Sequence, residues 1–141
     1  MPGAQRTIII NTTPDVLFKV ITDYSQYPSF LPEVEKIDII SRGDTSARVR
    51  YTVSLIKKVQ YTIDLVEKPN DSVRWTLVES GLMKANNGGW ALRDLGDGRT
   101  EVTYDVEVVP KGWVPKSIVN MLTNKSLPST LDAFKKRAES R

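Results

Sequence analysis

The chain has no cysteine and no histidine among its 141 residues. The first absence excludes disulfides and thiolate chemistry. The second removes the commonest general acid–base group and the commonest metal ligand. A strong charge of one sign is also missing. Lys and Arg number 20 against 17 Asp and Glu, for a net +3, and the two signs interleave, so no face is set aside for nucleic acid. Long apolar runs are absent too. The only one near the start is Ile8-Ile9-Ile10, too short for a signal peptide or a membrane span. No repeat, linker, phosphate loop, metal cluster or nucleophile elbow appears. The expectation is one domain, residues 1–141, soluble and cytoplasmic, with no cofactor and no metal. A chain of this length can bury a core without covalent staples.

What is present is alternation. Residues 7–11 read as a strand, because three consecutive isoleucines favour a pleated, packed backbone. Thr13-Pro14-Asp15 then opens a helix, with an N-cap, a proline at the first position and an acid in the first turn. That helix runs to Thr22, and a second short turn is bounded by Pro28 and Pro32. Further strands are expected at 34–41, 47–55, 59–67, 72–79, 87–95 and 99–109. Asn86-Asn87-Gly88-Gly89 reads as a loop or bulge, and Gly96-Asp97-Gly98 as a hairpin turn. Short connections between strands imply an antiparallel meander of about seven strands. Its dry face carries Val49, Tyr51, Val53, Leu55, Tyr61, Ile63, Leu65, Val73, Trp75, Leu77, Trp90, Leu92, Val102, Tyr104, Val106 and Val108. A sheet this long, dry on one side, must curl around something. The amphipathic C-terminal segment is the candidate: Ile118, Met121, Leu122, Leu127, Leu131, Phe134 and Ala138 recur at helical spacing, and Pro128 should kink it or split it in two.

Pro110-Lys-Gly-Trp113-Val114-Pro-Lys-Ser-Ile118-Val-Asn120 followed by Leu131-Asp-Ala-Phe134-Lys-Lys-Arg-Ala138 resembles the close of START lipid-transfer domains. Gly88-Gly-Trp90-Ala-Leu92, Gly98-Arg-Thr-Glu-Val-Thr-Tyr104 and Tyr24-Ser-Gln-Tyr-Pro-Ser-Phe30-Leu31-Pro32 resemble the bacterial polyketide cyclase/dehydrase and lipid-transport family, which includes coenzyme-Q-binding proteins. Each motif is loose, and their shared order is what is specific. The resemblance implies an α+β helix-grip fold. In it a curved antiparallel sheet wraps a long C-terminal helix, and two short helices lie between the first two strands. It also implies a hydrophobic cavity between sheet and helix, though full START domains carry N-terminal elements lacking here.

Alternation alone fits a solid core; with the resemblance, the expected cavity residues are Tyr51, Val53, Tyr61, Ile63, Trp75, Leu77, Trp90, Tyr104, Val106, Ile118, Met121 and Leu122. Phe30, Leu31, Trp113 and Val114, on loops stiffened by proline, are the expected gate. Tyrosine hydroxyls and the indole N–H groups of Trp75 and Trp90 are the polar groups that would orient a ligand. Asn86 shares the parity of Trp90. The dry face carries hardly any acid or base; Glu79 has inward parity but sits at a strand end, where charges are normally solvated. This favours binding over catalysis, with no catalytic residue assigned. The implied partner is a hydrophobic small molecule, whether lipid, sterol-like, isoprenoid quinone or polyketide. A cyclase or dehydratase using cavity tyrosines is one alternative. A ribosome- or protein-interaction module, as among ribosome-associated relatives, is another. The basic tail 135–141 is explained by the preference of cations for a helix C-terminus. Transient membrane contact stays open, and the sequence does not speak to oligomeric state.

Overall fold

A computed structural model describes residues 3–54, 58–117, 120 and 127–141. Seven strands form one antiparallel sheet: β1 (Gly3–Ile10), β2 (Val34–Arg42), β3 (Ser46–Ser54), β4 (Lys58–Lys68), β5 (Ser72–Ser80), β6 (Met83–Asp94) and β7 (Thr100–Pro110). Their spatial order is β1-β7-β6-β5-β4-β3-β2. The meander therefore runs from β2 to β7, and β1 closes it by pairing along β7 from Gly3↔Glu107 to Ile10↔Thr100. That long partner extends β1 four residues ahead of the expected start at Thr7. Between β1 and β2 lie α1 (Pro14–Thr22) and a 3-10 turn over Tyr24–Ser29. The last element is α2 (Leu127–Glu139). This is the expected helix-grip arrangement.

Helix α2 buries Leu127, Leu131, Phe134 and Ala138. Their spacing of four, three and four residues makes a single stripe facing the sheet. Pro128 stands in the first described turn of α2, and the kink or split expected there falls at residues 121–126, outside the described residues. At the other end, Glu139 accepts the Asn11 backbone N–H at 2.8 Å and pairs with Lys135, whose Nζ also donates to the Ile9 carbonyl. The C-terminal end of α2 is thus tied to β1. Thr13 opens α1 as expected, but its side chain makes no capping bond to the helix backbone.

Two local readings are corrected. Asn86–Gly89 is neither loop nor bulge; it lies within β6, whose one irregularity falls between Met83 and Ala85. The reason is tertiary. A side chain at Gly88 would meet the Trp75 ring at 2.7 Å and the Asp105 carbonyl at 2.2 Å, so only glycine lets Trp75 lean across the strand. Glu79 faces out, because a register shift between Thr62 and Ile63 pairs it with Thr62 and moves the strand end to the other face. Leu55 of the expected dry face lies outside the described residues.

Candidate functional site

An interior cavity of about 130 Å³ lies between the sheet and α2. Eight of the residues expected there line it: Tyr51, Val53, Tyr61, Ile63, Trp75, Trp90, Tyr104 and Val106. Register explains their grouping. Tyr51 pairs with Tyr61 across β3 and β4, and the rings stack with centroids 5.3 Å apart. Trp90 pairs with Tyr104 across β6 and β7, edge to face at 4.8 Å. Phe134 of α2 meets the edges of Trp90 and Tyr27 at 4.7 and 5.3 Å, so the helix closes an aromatic box begun by the strands. Leu77 is partly buried against the core but does not line the cavity. It lies beyond Trp75↔Gly88, the last pair joining β5 to β6, where the two strands part. Ile118, Met121 and Leu122 lie outside the described residues.

The polar groups of the wall divide into committed and uncommitted ones. The Trp75 indole donates to Asn86 Oδ1 at 3.0 Å, so Asn86 orients a wall residue and the Trp75 N–H is already used. Tyr27 donates to the Ile21 carbonyl. The hydroxyls of Tyr61 and Tyr104 and the indole of Trp90 have no hydrogen-bond partner among the described residues. Burial pushes Tyr51, Tyr61 and Tyr104 well above the ordinary tyrosine value. These hydroxyls stay protonated at neutral pH, suited to donating a bond and unsuited to acting as bases.

A second depression, a groove of about 490 Å³, runs outside the cavity between α2 and the segment after the 3-10 turn. Leu31, Glu33 and Thr130 line both spaces, so they form the partition between them. Thr130 Oγ1 donates to Glu33 Oε1 at 3.2 Å across it. Of the expected gate, Leu31 is part of this partition, and Phe30 lines the groove under Arg137, whose guanidinium lies 4.8 Å above its ring. Trp113 is 87 % exposed, and neither it nor Val114 lines cavity or groove. The loop carrying them turns at Gly112, which has φ +67°, and leaves the indole in solvent. Glu33 was missed by sequence reasoning. It sits in the turn before β2, where no periodicity assigns a side chain to a face.

A second carboxylate was also missed. Glu67 is 6 % exposed, takes both guanidinium nitrogens of Arg42, and accepts from the Tyr24 hydroxyl at 2.6 Å. It clamps β4, β2 and the 3-10 turn together and does not line the cavity.

With this geometry in hand, comparison places the chain. The family described as polyketide cyclase / dehydrase and lipid transport matches residues 10–135, and the protein belongs to it. Among individual relatives, the ribosome association toxin RatA of Pseudomonas aeruginosa is 26% identical over 136 residues, covering 96% of this chain and 94% of that protein. In structure the chain is similar to the Zhui aromatase/cyclase of Streptomyces sp. R1128, with TM-score 0.88 and 17% identity over 99% of this chain and 94% of the other. It is also similar to a STAR-related lipid transfer protein from Xanthomonas axonopodis, with TM-score 0.80 and 21% identity over 96% and 85%. Those two likenesses establish the shared fold. No helix among the described residues is long and apolar enough to cross a membrane.

Proposed function

We propose that this protein binds a hydrophobic small molecule between its sheet and α2, and that the ligand spans the interior cavity and the outer groove. The observation that carries the reading is the aromatic-lined cavity partitioned from the groove by side chains alone. Size supports it. Ligand pockets usually run from roughly 300 to 1,000 Å³, whereas an apolar cavity of about 150 Å³ takes a single benzene ring. The interior of about 130 Å³ therefore suits one ring or a short chain, and a larger guest extends past Leu31 and Thr130. An unfilled void of this size costs on the order of 3 kcal/mol at about 24 cal/mol per Å³, tolerable within the roughly 5–15 kcal/mol of a domain. The apo form can therefore persist, and each Å² of apolar surface a guest covers adds about 25 cal/mol. The ligand class follows the family: lipid, sterol-like, isoprenoid quinone or polyketide. Cavity tyrosines held protonated favour a binder over a cyclase.

Native mass spectrometry of the purified protein, with organic extraction of the bound mass, tests this. A co-purifying apolar compound lost in Val106→Trp, with the circular dichroism spectrum retained, is the expected result. Binding unchanged by that substitution places the ligand elsewhere. The near-full-length similarity to RatA supports a second reading, association with the ribosome. Cosedimentation with ribosomal particles that survives Val106→Trp is expected if the exterior, not the cavity, carries that role.

A further inference from the structure

The partition between cavity and groove has a chemistry of its own. Glu33 is the only carboxylate lining the interior among the described residues. It is half-buried, and among the described residues its carboxylate forms no ion pair and takes one hydrogen bond, from Thr130. The neighbouring cations are engaged elsewhere: Lys58 with Glu35, Lys136 with Asp132, and Arg137 over the Phe30 ring. An ionised carboxylate offers about four lone-pair sites, so Glu33 keeps most of its accepting capacity. On the same cavity wall stand Tyr61 and Tyr104, whose hydroxyls have no protein partner among the described residues. After burial, the charge of Glu33 contributes to raising Tyr61, and it contributes to raising Tyr104 behind burial, Tyr61 and Asp105.

Resting on the binding reading above, we propose that the ligand is amphipathic and uncharged, with a hydroxyl at the level of Glu33, where the cavity meets the groove. That hydroxyl donates to Glu33 and accepts from Tyr61 or Tyr104. A hydroxyl matches both halves of this set at one atom, whereas an ammonium donates to Glu33 but has no lone pair for a tyrosine. A ketone or ether accepts from a tyrosine but leaves the carboxylate unsatisfied in a partly dry site. An anionic head, whether carboxylate or phosphate, faces Glu33 with like charge, and among the described cations of the groove Lys136 is paired with Asp132 and Arg137 lies over the Phe30 ring. The site thus selects neutral alcohols or phenols over fatty acids and anionic phospholipids. A site built to bond a donor rejects the analogue lacking it more strongly than an apolar wall rejects a size change.

Three probes on one skeleton test this: 2-naphthol, 2-methoxynaphthalene and 2-naphthoate, titrated at neutral pH by calorimetry or ligand-observed NMR. The expected order is 2-naphthol tightest, the ether about tenfold weaker and the acid weakest, as for loss of a hydrogen bond to a charged group. In Glu33→Gln and in Tyr61→Phe/Tyr104→Phe the gap between naphthol and ether should shrink to about threefold or less while the ether binds as before. The wild-type order stands without any variant having to fold. Equal binding of naphthol and ether, or tightest binding of the acid, overturns the hydroxyl assignment and leaves the cavity reading intact. No binding by either neutral probe overturns both.

Discussion

Two carboxylates on this domain, Glu67 and Glu33, belong to opposite regimes. Glu67 is saturated: a two-pronged Arg42 and the Tyr24 hydroxyl occupy it, and 6 % of its surface reaches solvent. Among the described residues the Glu33 carboxylate has one hydrogen bond, from Thr130, and it borders open space on two sides. A buried charge bonded on both oxygens and paired with a cation holds elements in place, and removing a partner leaves the rest uncompensated. A half-buried charge with spare lone pairs holds little and can receive something new. In this molecule, the acid that matters to folding and the acid that matters to binding are told apart by their partners, not by their depth alone.

Replacement should separate them. Glu67→Ala strands Arg42 and the Tyr24 hydroxyl and is expected to cost about 3 kcal/mol in urea unfolding, within the range for breaking a buried pair. Glu33→Ala is expected to cost less than about 1 kcal/mol, the scale of one ordinary hydrogen bond. Similar losses at both sites break the comparison. Gly88→Ala comes next. Its added methyl cannot avoid the Asp105 carbonyl and the Trp75 ring, and overpacking of this kind costs about 1–3 kcal/mol. It should also shift the near-ultraviolet dichroism of Trp75 and loosen the wall facing the cavity. An unchanged spectrum would mean that Trp75 does not depend on the gap at Gly88.

Neither carboxylate was legible in the chain, and the reasons differ. Glu67 continues the inward parity of Tyr61, Ile63 and Leu65, so a signal existed. A charge at a strand end is normally solvated, though, and its partner Arg42 lies 25 residues away on a strand that does not pair with β4. Glu33 follows Pro32 in a turn, where alternation assigns no face. The sheet wall was readable because burial on one face of a pleat forces period two, and that rule located Tyr51, Tyr61, Trp90 and Tyr104. It failed where tertiary packing overrides local preference: at Gly88, vacant to admit a ring from another strand, and at Glu79, turned outward by a register shift. Trp113 misled for another reason. A large apolar residue on a proline-stiffened loop suggests a cap, but nothing in its spacing says whether the loop folds over the barrel or away from it.

A third carboxylate, Glu139, supplies the weak end of the scale. It is bonded by Lys135 first and by the Asn11 N–H second, and these partners hold it below the ordinary glutamate value of 4.5. A carboxyl with a depressed folded value stabilises the fold fully above its unfolded value, and that contribution fades as pH falls through the folded one. The tie between α2 and β1 should therefore be intact at neutral pH and weaken below about pH 4.5. Because the pair is on the surface, the loss is about 0.5 kcal/mol. Glu139→Gln should remove that part of the acid dependence while leaving stability at low pH as in the parent. The backbone N–H of Asn11 should exchange faster in the variant at neutral pH. Protection of Asn11 that is insensitive to both acid and the substitution would show that the end of α2 is held by its buried stripe, Phe134 and Ala138, and that its carboxylate is a bystander.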